Sequence, residues 1–411
     1  MTASPLRPFA HRRVLLGVSG GIASYKSAWL ARLLTTAGAE VDVVMTRAAT
    51  EFVGAVTFEA LTGRPVHTGL FDPGRALNHI SLARAADVIV IAPATADLLA
   101  RAATGQADDL LTACLLAADC PVLLVPAMND RMWAHGQVQA NARHLETLGY
   151  HLLAPDDGLL AAGEGSGPGR MPEPETIFAH VGRLLEPRTS LAGRTVLVTA
   201  GPTREAIDPV RFLSNHSTGR MGVAVAAAAW RRGADVTLIS GPLTVPFPAG
   251  VTVQQVTSTD EMRDAVAAHL GATDLLVMAA APADYRPAQR ADRKLKKTGS
   301  PRSLDLIETA DILSATRGAR RPGSLIVGFA LETDDLLANA ARKLEQKGLD
   351  LIVLNDAGEP GAGFGGDTNR VTFLTRGTGA PEYLPLLPKI EVADAILDRA
   401  ERLFVEHPHG R

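Results

Sequence analysis

The feature that most restricts this chain is a rhythm that runs, stops near residue 190 and begins again. Short runs of nearly uninterrupted apolar, often β-branched residues alternate with stretches of helical period: RVLLGVS (13–19), VDVVMT (41–46), DVIVIAP (87–93) and PVLLVPA (121–127), then TVLVTAG (195–201), DVTLISG (235–241), DLLVMAA (274–280), SLIVGFA (324–330) and DLIVLND (350–356). A strand wetted on one face alternates apolar and polar residues. A run that is apolar throughout must be covered on both faces, as in a parallel sheet flanked by helices. After the first run, Ile22, Tyr25, Trp29, Leu30 and Leu33 recur as one helical face, stopped at Gly38, and complete a βαβ unit with the next run. The expectation is an α/β protein of two doubly wound, Rossmann-like parallel-sheet domains, residues 1–190 and 191–411, meeting in RLLEPRTSLAGR (183–194) and closed by an amphipathic helix, Ile390–Phe404. A length of 411 residues suits two or three domains. GPLTVPFPAG (241–250) and GEPGAGFGGDTN (358–369) are too rich in Pro and Gly for regular structure and read as loops.

Charge and cysteine usage exclude several classes of function. A formal net charge of −3 creates no global field for nucleic acid or an anionic membrane. No apolar run is long enough to span a bilayer, and MTASPLRPFAHRR lacks the apolar core of a signal peptide. Cys114 and Cys120 lie in an apolar, Ala-rich stretch and read as small buried residues rather than a disulfide framework, so a reducing cytoplasm is the expected location.

Doubly wound sheets bind ligands beyond the carboxyl ends of their strands, and there the polar and unusual residues collect. GVSGGIASYK (17–26) joins the first strand to the first helix: Gly20 and Gly21 let backbone approach a ligand, and Ser19 and Ser24 offer hydroxyls. It matches neither G-x-G-x-x-G nor a P-loop, and a tight strand–helix turn would also need its glycines. Thr46 and Thr95 follow later strands, placed either to bond a phosphate or heterocycle edge or to cap helices. His79, in LNHISLARAAD (77–87), precedes a helix and is either a base or an ordinary satisfied histidine. In LLVPAMNDRMW (123–133), Asn129 can grip a polar ligand while Met128, Met132 and Trp133 wall it, or pack the loop onto the sheet.

Over residues 13–180, SGGIASYK, NHISLA, APATAD, PAMNDRMW and GPGRMPEP resemble, in order and spacing, the flavin-containing cysteine decarboxylases, whose central member is phosphopantothenoylcysteine decarboxylase. The resemblance implies a flavodoxin-like flavoprotein domain. It implies FMN against Ser19, Gly20, Gly21, Ser24, Thr46 and Thr95, His79 as catalytic base, and Asn129 on the substrate carboxylate with Met128 and Met132 beside it. One departure stands out. The coenzyme A branch usually carries a proton-donating cysteine before the GxGRM motif, and Ala162 occupies that position here. Glu164 or water would then supply the proton, or the reaction would halt at the enethiol.

The second half carries AGPTREAIDPVRFLSNHSTGRMG (200–222), dense in anion-binding groups before a helix, and AAAPADYRPAQRADRKLKKTG (279–299), where Lys294, Lys296 and Lys297 follow Asp284. Capped helices and a solvated basic loop are the plain alternatives. With GFALET (328–333) these motifs resemble phosphopantothenate–cysteine ligase over residues 192–404. The resemblance implies CTP as co-substrate with Mg²⁺, through an acyl-cytidylate. Lys294 would serve the first step and Asn215 the second, with Arg211 and Asn215 on the substrate. Ala279, Ala280, Asp284, Lys294, Ala310, Asp311, Ile312, Leu313, Phe329, Lys343 and Lys347 would lie on the nucleotide side. No residues stand out as magnesium ligands. One half makes what the other consumes, so the expectation is a bifunctional enzyme taking 4'-phosphopantothenate, cysteine and CTP to 4'-phosphopantetheine. The alternatives are a decarboxylase half that stops at the enethiol, or one that only binds flavin and assembles the oligomer. Trimers of the flavin domain and dimers of the ligase domain, combined as a dodecamer, are the implied assembly.

Overall fold

The computed structural model describes residues 7–71, 77–187, 189–297, 303–332, 335–356, 365–377 and 380–406. Residues 298–299 of the basic loop, Thr333 of GFALET and residues 358–364 of the Gly-rich loop lie outside them. The chain divides into two compact units, Met1–Pro187 and Arg188–Arg411.

In the first unit the strands are β1 (Arg13–Val18), β2 (Glu40–Met45), β3 (Val66–His67), β4 (Val88–Ala94), β5 (Val122–Pro126) and β6 (His151–Leu152), followed by a hairpin of β7 (Asp156–Leu159) and β8 (Ser166–Arg170). The helices are α1 (Ser24–Thr36), α2 (Ala55–Thr62), α3 (Asn78–Ala85), α4 (Ala96–Thr104), α5 (Leu110–Leu116), α6 (Asp130–Ala134), α7 (Gly136–Thr147) and α8 (Pro174–Leu185). The sheet order is β3-β2-β1-β4-β5-β6, all parallel. The chain builds outward from β1, then crosses to β4, so a crevice opens between the carboxyl ends of these two strands. The continuous apolar runs are explained by what covers them. Val14, Leu16, Val18, Val88, Val90 and Ala92 pack into a core on one face, and Leu15, Ile89, Ile91 and Ala94 into a second core on the other. Each such side chain contributes about 1.5–3 kcal/mol by leaving water.

Only part of the face assigned to α1 from sequence packs: Leu30 is buried and Leu33 half-buried as expected, but the rest is not. Ile22, Tyr25 and Trp29 are exposed, while Ser27, Leu30, Ala31 and Leu34 are buried. Small residues win because the helix lies close on the sheet: the Ser27 hydroxyl donates to the Ala92 carbonyl at 2.5 Å.

In the second unit the strands are β9 (Thr195–Ala200), β10 (Glu205–Ala206), β11 (Phe212–Leu213), β12 (Asp235–Ser240), β13 (Thr252–Gln255), β14 (Leu275–Met278), β15 (Tyr285–Pro287), β16 (Leu306–Glu308), β17 (Leu325–Glu332), β18 (Leu351–Asp356), β19 (Thr368–Asn369), β20 (Val371–Thr375), β21 (Glu382–Tyr383) and β22 (Leu387–Pro388). The helices are α9 (Arg220–Arg231), α10 (Thr259–Leu270), α11 (Ile312–Ala315), α12 (Leu336–Gln346) and α13 (Lys389–Glu406). The main sheet runs β13-β12-β9-β14-β17-β18-β20-β21, and its last two strands are antiparallel. The switch point lies between β9 and β14. The α9 amino terminus sits hard against the end of β9: a Cβ on Gly222 would stand 2.6 Å from Ala200 Cβ. The final helix is locked in register by charge. Arg232, among the largest fully buried side chains, reaches Asp394 at 2.9 Å, Asp398 at 2.8 Å and Glu401 at 2.9 Å.

Candidate functional site

A cavity of about 880 Å³ opens in the first unit beyond β1 and β4. Its floor is the turn after β1. A Cβ on Gly20 would come 2.3 Å from Ala48 Cβ, whereas one on Gly21 would meet nothing closer than Thr95 Cγ2 at 3.8 Å. Gly20 is therefore required for packing, and Gly21 leaves open the space a ligand can fill. The hydroxyls around it are engaged with the scaffold. Ser19 Oγ donates to the Pro93 carbonyl at 2.7 Å and accepts from Thr95 N at 3.1 Å. Thr95 Oγ1 caps α4 by accepting from Leu98 N at 3.3 Å, and Thr46 Oγ1 accepts from Ala49 N at 3.2 Å. Ser19, Thr46 and Thr95 still line the cavity. Ser24 does not: it is fully buried, its hydroxyl donating to Gly21 O at 2.6 Å, so its place is under the turn rather than toward a ligand.

Asn129, Met128 and Met132 form another wall. Asn129 Oδ1 caps α6 by accepting from Arg131 N at 2.9 Å. This turn is clamped by the hairpin, where Met128 N donates to Gly169 O at 3.0 Å and a Cβ on Gly169 would stand 2.2 Å from Met128 O. The PAMN and GPGR stretches, far apart in sequence, are thus one structural joint. Lys26 makes another, its ammonium donating to Met171 O at 2.8 Å. Trp133 packs partly buried against the core instead of walling the cavity. Glu164 lines the cavity, while Ala162 lies in the exposed turn between β7 and β8.

The sequence motifs do not signal Arg101 and Asp109, which also line this cavity and pair at 2.7 Å. Burial pushes the Asp109 carboxyl up, but the Thr112 backbone N–H and Arg101 outweigh it and hold it below its ordinary value. The signal available was the spacing of Asp109 and Thr112, which close a capping box. Cys114 is fully buried and its thiol is pushed up to about 12 by burial and by Asp109, which makes it inert.

His79 is not brought to this cavity. It lies within α3 rather than before it, and lines a separate recess of about 430 Å³ with Leu70, Phe71 and Leu116. Its Nδ1 is buried without a partner among the described residues, and Phe71 beside it is 89% exposed.

In the second unit a cavity of about 250 Å³ opens beyond β14, β17 and β18. Ala279, Ala280, Asp284 and Phe329 line it with Ser217, Thr218 and Arg220, as do Asn355, Asn369 and Lys389, none of the last three named as a site residue from sequence. Its loops are set by a buried network. Ala280 N donates to Thr199 Oγ1 at 3.1 Å, Ala283 N to Thr203 Oγ1 at 2.9 Å, and Thr259 N to Glu205 Oε1 at 2.8 Å. Asn215 bridges the two loops, donating to Ala281 O at 2.5 Å and accepting from Ser217 N at 2.9 Å.

Other expected residues stand elsewhere. Arg211 bonds Asp208 through Nε at 3.0 Å and donates to Leu295 O at 2.9 Å. It is a strut under the exposed Lys294, with part of its guanidinium engaged by the scaffold. Ile312 and Leu313 are buried in the core, because α11 turns its apolar side inward. Asp311 caps α11 and pairs with Lys347. Ala310, Lys343 and Lys347 do not line the cavity either. Among the described residues no cluster of His, Cys, Asp and Glu could hold a metal ion, and no helix is long and apolar enough to cross a membrane.

Comparison with known proteins assigns each unit. Residues 2–186 match the Flavoprotein family, and residues 191–403 the DNA/pantothenate metabolism flavoprotein C-terminal domain. The coenzyme A biosynthesis bifunctional protein CoaBC of Vibrio vulnificus is 44% identical over 404 residues, which is 97% of this chain and all of that protein. The CoaBC of Mycolicibacterium smegmatis is 50% identical over 365 residues, 85% of this chain and 88% of its own. A crystal structure of the C-terminal domain of a CoaBC shares 39% identity at a TM-score of 0.45, covering 53% of this chain and 99% of that one.

Proposed function

This chain belongs to the CoaBC family of bifunctional coenzyme A biosynthesis proteins, and on that premise we propose which residues carry its decarboxylase and ligase activities. Relatives matched over nearly their whole length disfavour a decarboxylase half that stops at the enethiol or only binds flavin.

The observation that carries the reading of the first unit is the pairing of an open glycine turn with an anchored amide across one cavity. The residues fit FMN. Gly21 leaves space, Ser19, Thr46 and Thr95 edge it, and Met45 and Met128 wall it. Bound there, FMN would supply a two-electron acceptor for oxidation of the cysteinyl thiol to a thioaldehyde, which makes the neighbouring carboxylate able to leave. Asn129, its Oδ1 held by Arg131 N, keeps its Nδ2 donors for that carboxylate. Met128, Met132, Leu159 and Leu160 exclude water, which favours departure as neutral CO₂. His79 takes the thiol proton. Its separate recess requires a second copy of the chain to bring that recess against the cavity, which supports an oligomer such as the trimer. With Ala at position 162, Glu164 on the cavity wall is the proton donor to the enethiol.

In the second unit the 4'-phosphopantothenate carboxylate attacks the α-phosphorus of CTP, pyrophosphate leaves, and the cysteine amine then displaces CMP. Lys294 neutralises charge in the first step, on a loop held by Arg211 and Asp208. Asn215 serves the second from its bridge between Ala281 and Ser217. Mg²⁺ arrives with the triphosphate, and the enzyme works in the cytoplasm.

Mass spectrometry of the product from 4'-phosphopantothenate, cysteine and CTP under anaerobic conditions tests this. Saturated 4'-phosphopantetheine is expected. A product lighter by two hydrogens would overturn the complete cycle. Glu164→Gln should slow the last step about 100- to 10,000-fold and let the enethiol accumulate, as expected for loss of a general acid.

A further inference from the structure

Lys389 is the first residue of α13, nearly 170 positions after the loop motif it meets in space. It is 7% exposed and lines the cavity of the second unit beside Ser217, Thr218, Gly219 and Arg220. Its position is enforced twice. Its backbone N–H donates to Asp367 O at 2.9 Å, and the β19–β22 bridge fixes Asn369 opposite Leu387. Farther along α13, Asp394, Asp398 and Glu401 grip Arg232 of the α9 end. The same helix pair thus brings Lys389 to the amino terminus of α9.

Two features at this end of the cavity ask for an anion. The α9 amino terminus presents unsatisfied backbone N–H groups and its positive dipole end. Arg220, paired with Asp367, leaves its buried Nε without a partner. Asn369, 2% exposed and on the wall, has an amide oxygen with no partner among the described residues, an acceptor for a hydroxyl or amine donor of a substrate rather than for its anion. Burial first, and Arg220 next, push the Lys389 ammonium below its ordinary value, with Asp367 opposing. Two cations thus stand beside a helix amino terminus, with Asp367 the carboxylate that offsets them.

We propose that Lys389, together with Arg220 and the α9 amino terminus, holds a phosphoryl group of a ligase substrate in this cavity. The inference rests on the ligase reading of the second unit. Two sources carry that chemistry: the phosphate monoester of the acid substrate and the phosphates of the nucleotide.

Full-length Lys389→Met and Lys389→Gln are assayed for ligation with 4'-phosphopantothenate, with pantothenate in its place, and with varied CTP. The expected result is a fall of about 10- to 100-fold in the ratio of kcat/KM for the phosphorylated over the unphosphorylated acid, the size of one charge-assisted hydrogen bond, with much of it recovered in Lys389→Arg. Simple loosening of the fold would lower both acids together and leave the ratio alone. A rise of that size in the KM for CTP, with the acid ratio unchanged, would support the proposal and assign the group to the nucleotide. An unchanged ratio together with an unchanged KM for CTP would overturn it. If neither variant folds, the unsubstituted protein decides. Saturating 4'-phosphopantothenate or CTP should slow reductive methylation of Lys389 several-fold by peptide mass, and a rate indifferent to both would overturn the proposal. An unsubstituted protein that ligates neither acid would remove the ligase reading itself, a result distinct from an active enzyme insensitive to position 389.

Discussion

The cavity of the first unit encloses about 880 Å³ and that of the second about 250 Å³. Both open at the switch point of a doubly wound sheet, and both are floored by a glycine-bearing turn. Their walls differ. Around the larger one the hydroxyls serve the scaffold, with Ser19 on Pro93 and Thr95 on α4, and sulfur and apolar side chains face the space. Around the smaller one a lysine, an arginine and two asparagines converge. The first suits a broad, flat ligand held by backbone and shape. The second suits a compact, charged group held by electrostatics. The same sheet architecture supplies the place in each case, and the side chains beyond the strand ends supply the chemistry.

Substitutions can break or sharpen this contrast. The largest expected effect is at Asn129. Asn129→Asp keeps an oxygen to accept from Arg131 N, so the turn survives, but sets a negative charge against a negative substrate. Decarboxylation should fall at least about 100-fold while ligation is untouched, as single-turnover assays of each step would show. An unchanged yield would end the assignment of Asn129 and with it the functional half of the contrast.

Arg232→Met removes the buried cation shared by Asp394, Asp398 and Glu401, so three neighbouring carboxylates lose their common partner while Arg231 keeps its pair with Asp394. The second unit should lose about 3–5 kcal/mol in urea unfolding while the flavin absorbance of the first is retained. A concerted loss of both signals would mean that the units do not unfold independently.

Gly20→Ala drives a methyl into Ala48 and should cost about 1–3 kcal/mol and lower flavin occupancy, whereas Gly21→Ala should leave the melting temperature nearly unchanged. Equal effects would show that packing does not separate the two glycines.

The smallest effect is at Asp311. Burial raises its pKa, but Lys347 and the Ser314 backbone N–H lower it further, to a net value below the ordinary 3.8. A depressed carboxylate stabilises the fold above its unfolded pKa, and that contribution disappears as pH falls through the folded value. The side chain is 42% exposed, so solvent screens the pair and the contribution stays below about 1 kcal/mol. Asp311→Asn retains the cap and should flatten the acid limb of the second unit's stability profile.

The sequence by itself determined the strands, because an apolar run buried on both faces cannot do much else. RVLLGVS became Arg13–Val18, and the closing amphipathic segment became Lys389–Glu406. It also placed Gly20, Gly21, Asn129, Ala280 and Asp284 on cavity walls, since turn chemistry just past a strand is local. What it could not show depends on partners distant in the chain. The exposed Ile22, Tyr25 and Trp29 look like a helix face until the closeness of the sheet selects Ser27 and Ala31 instead. Arg211 looks free until Asp208 and Leu295 claim it. Ile312 and Leu313 look accessible until the core takes them. His79 and Asn129 look like one site, and the fold sets them in separate pockets. Lys389 carries no local motif at all. Only the packing of α13 along α9, set by Arg232 and its carboxylates, brings its charge to the cavity, because long-range register is written in contacts rather than in neighbours along the chain.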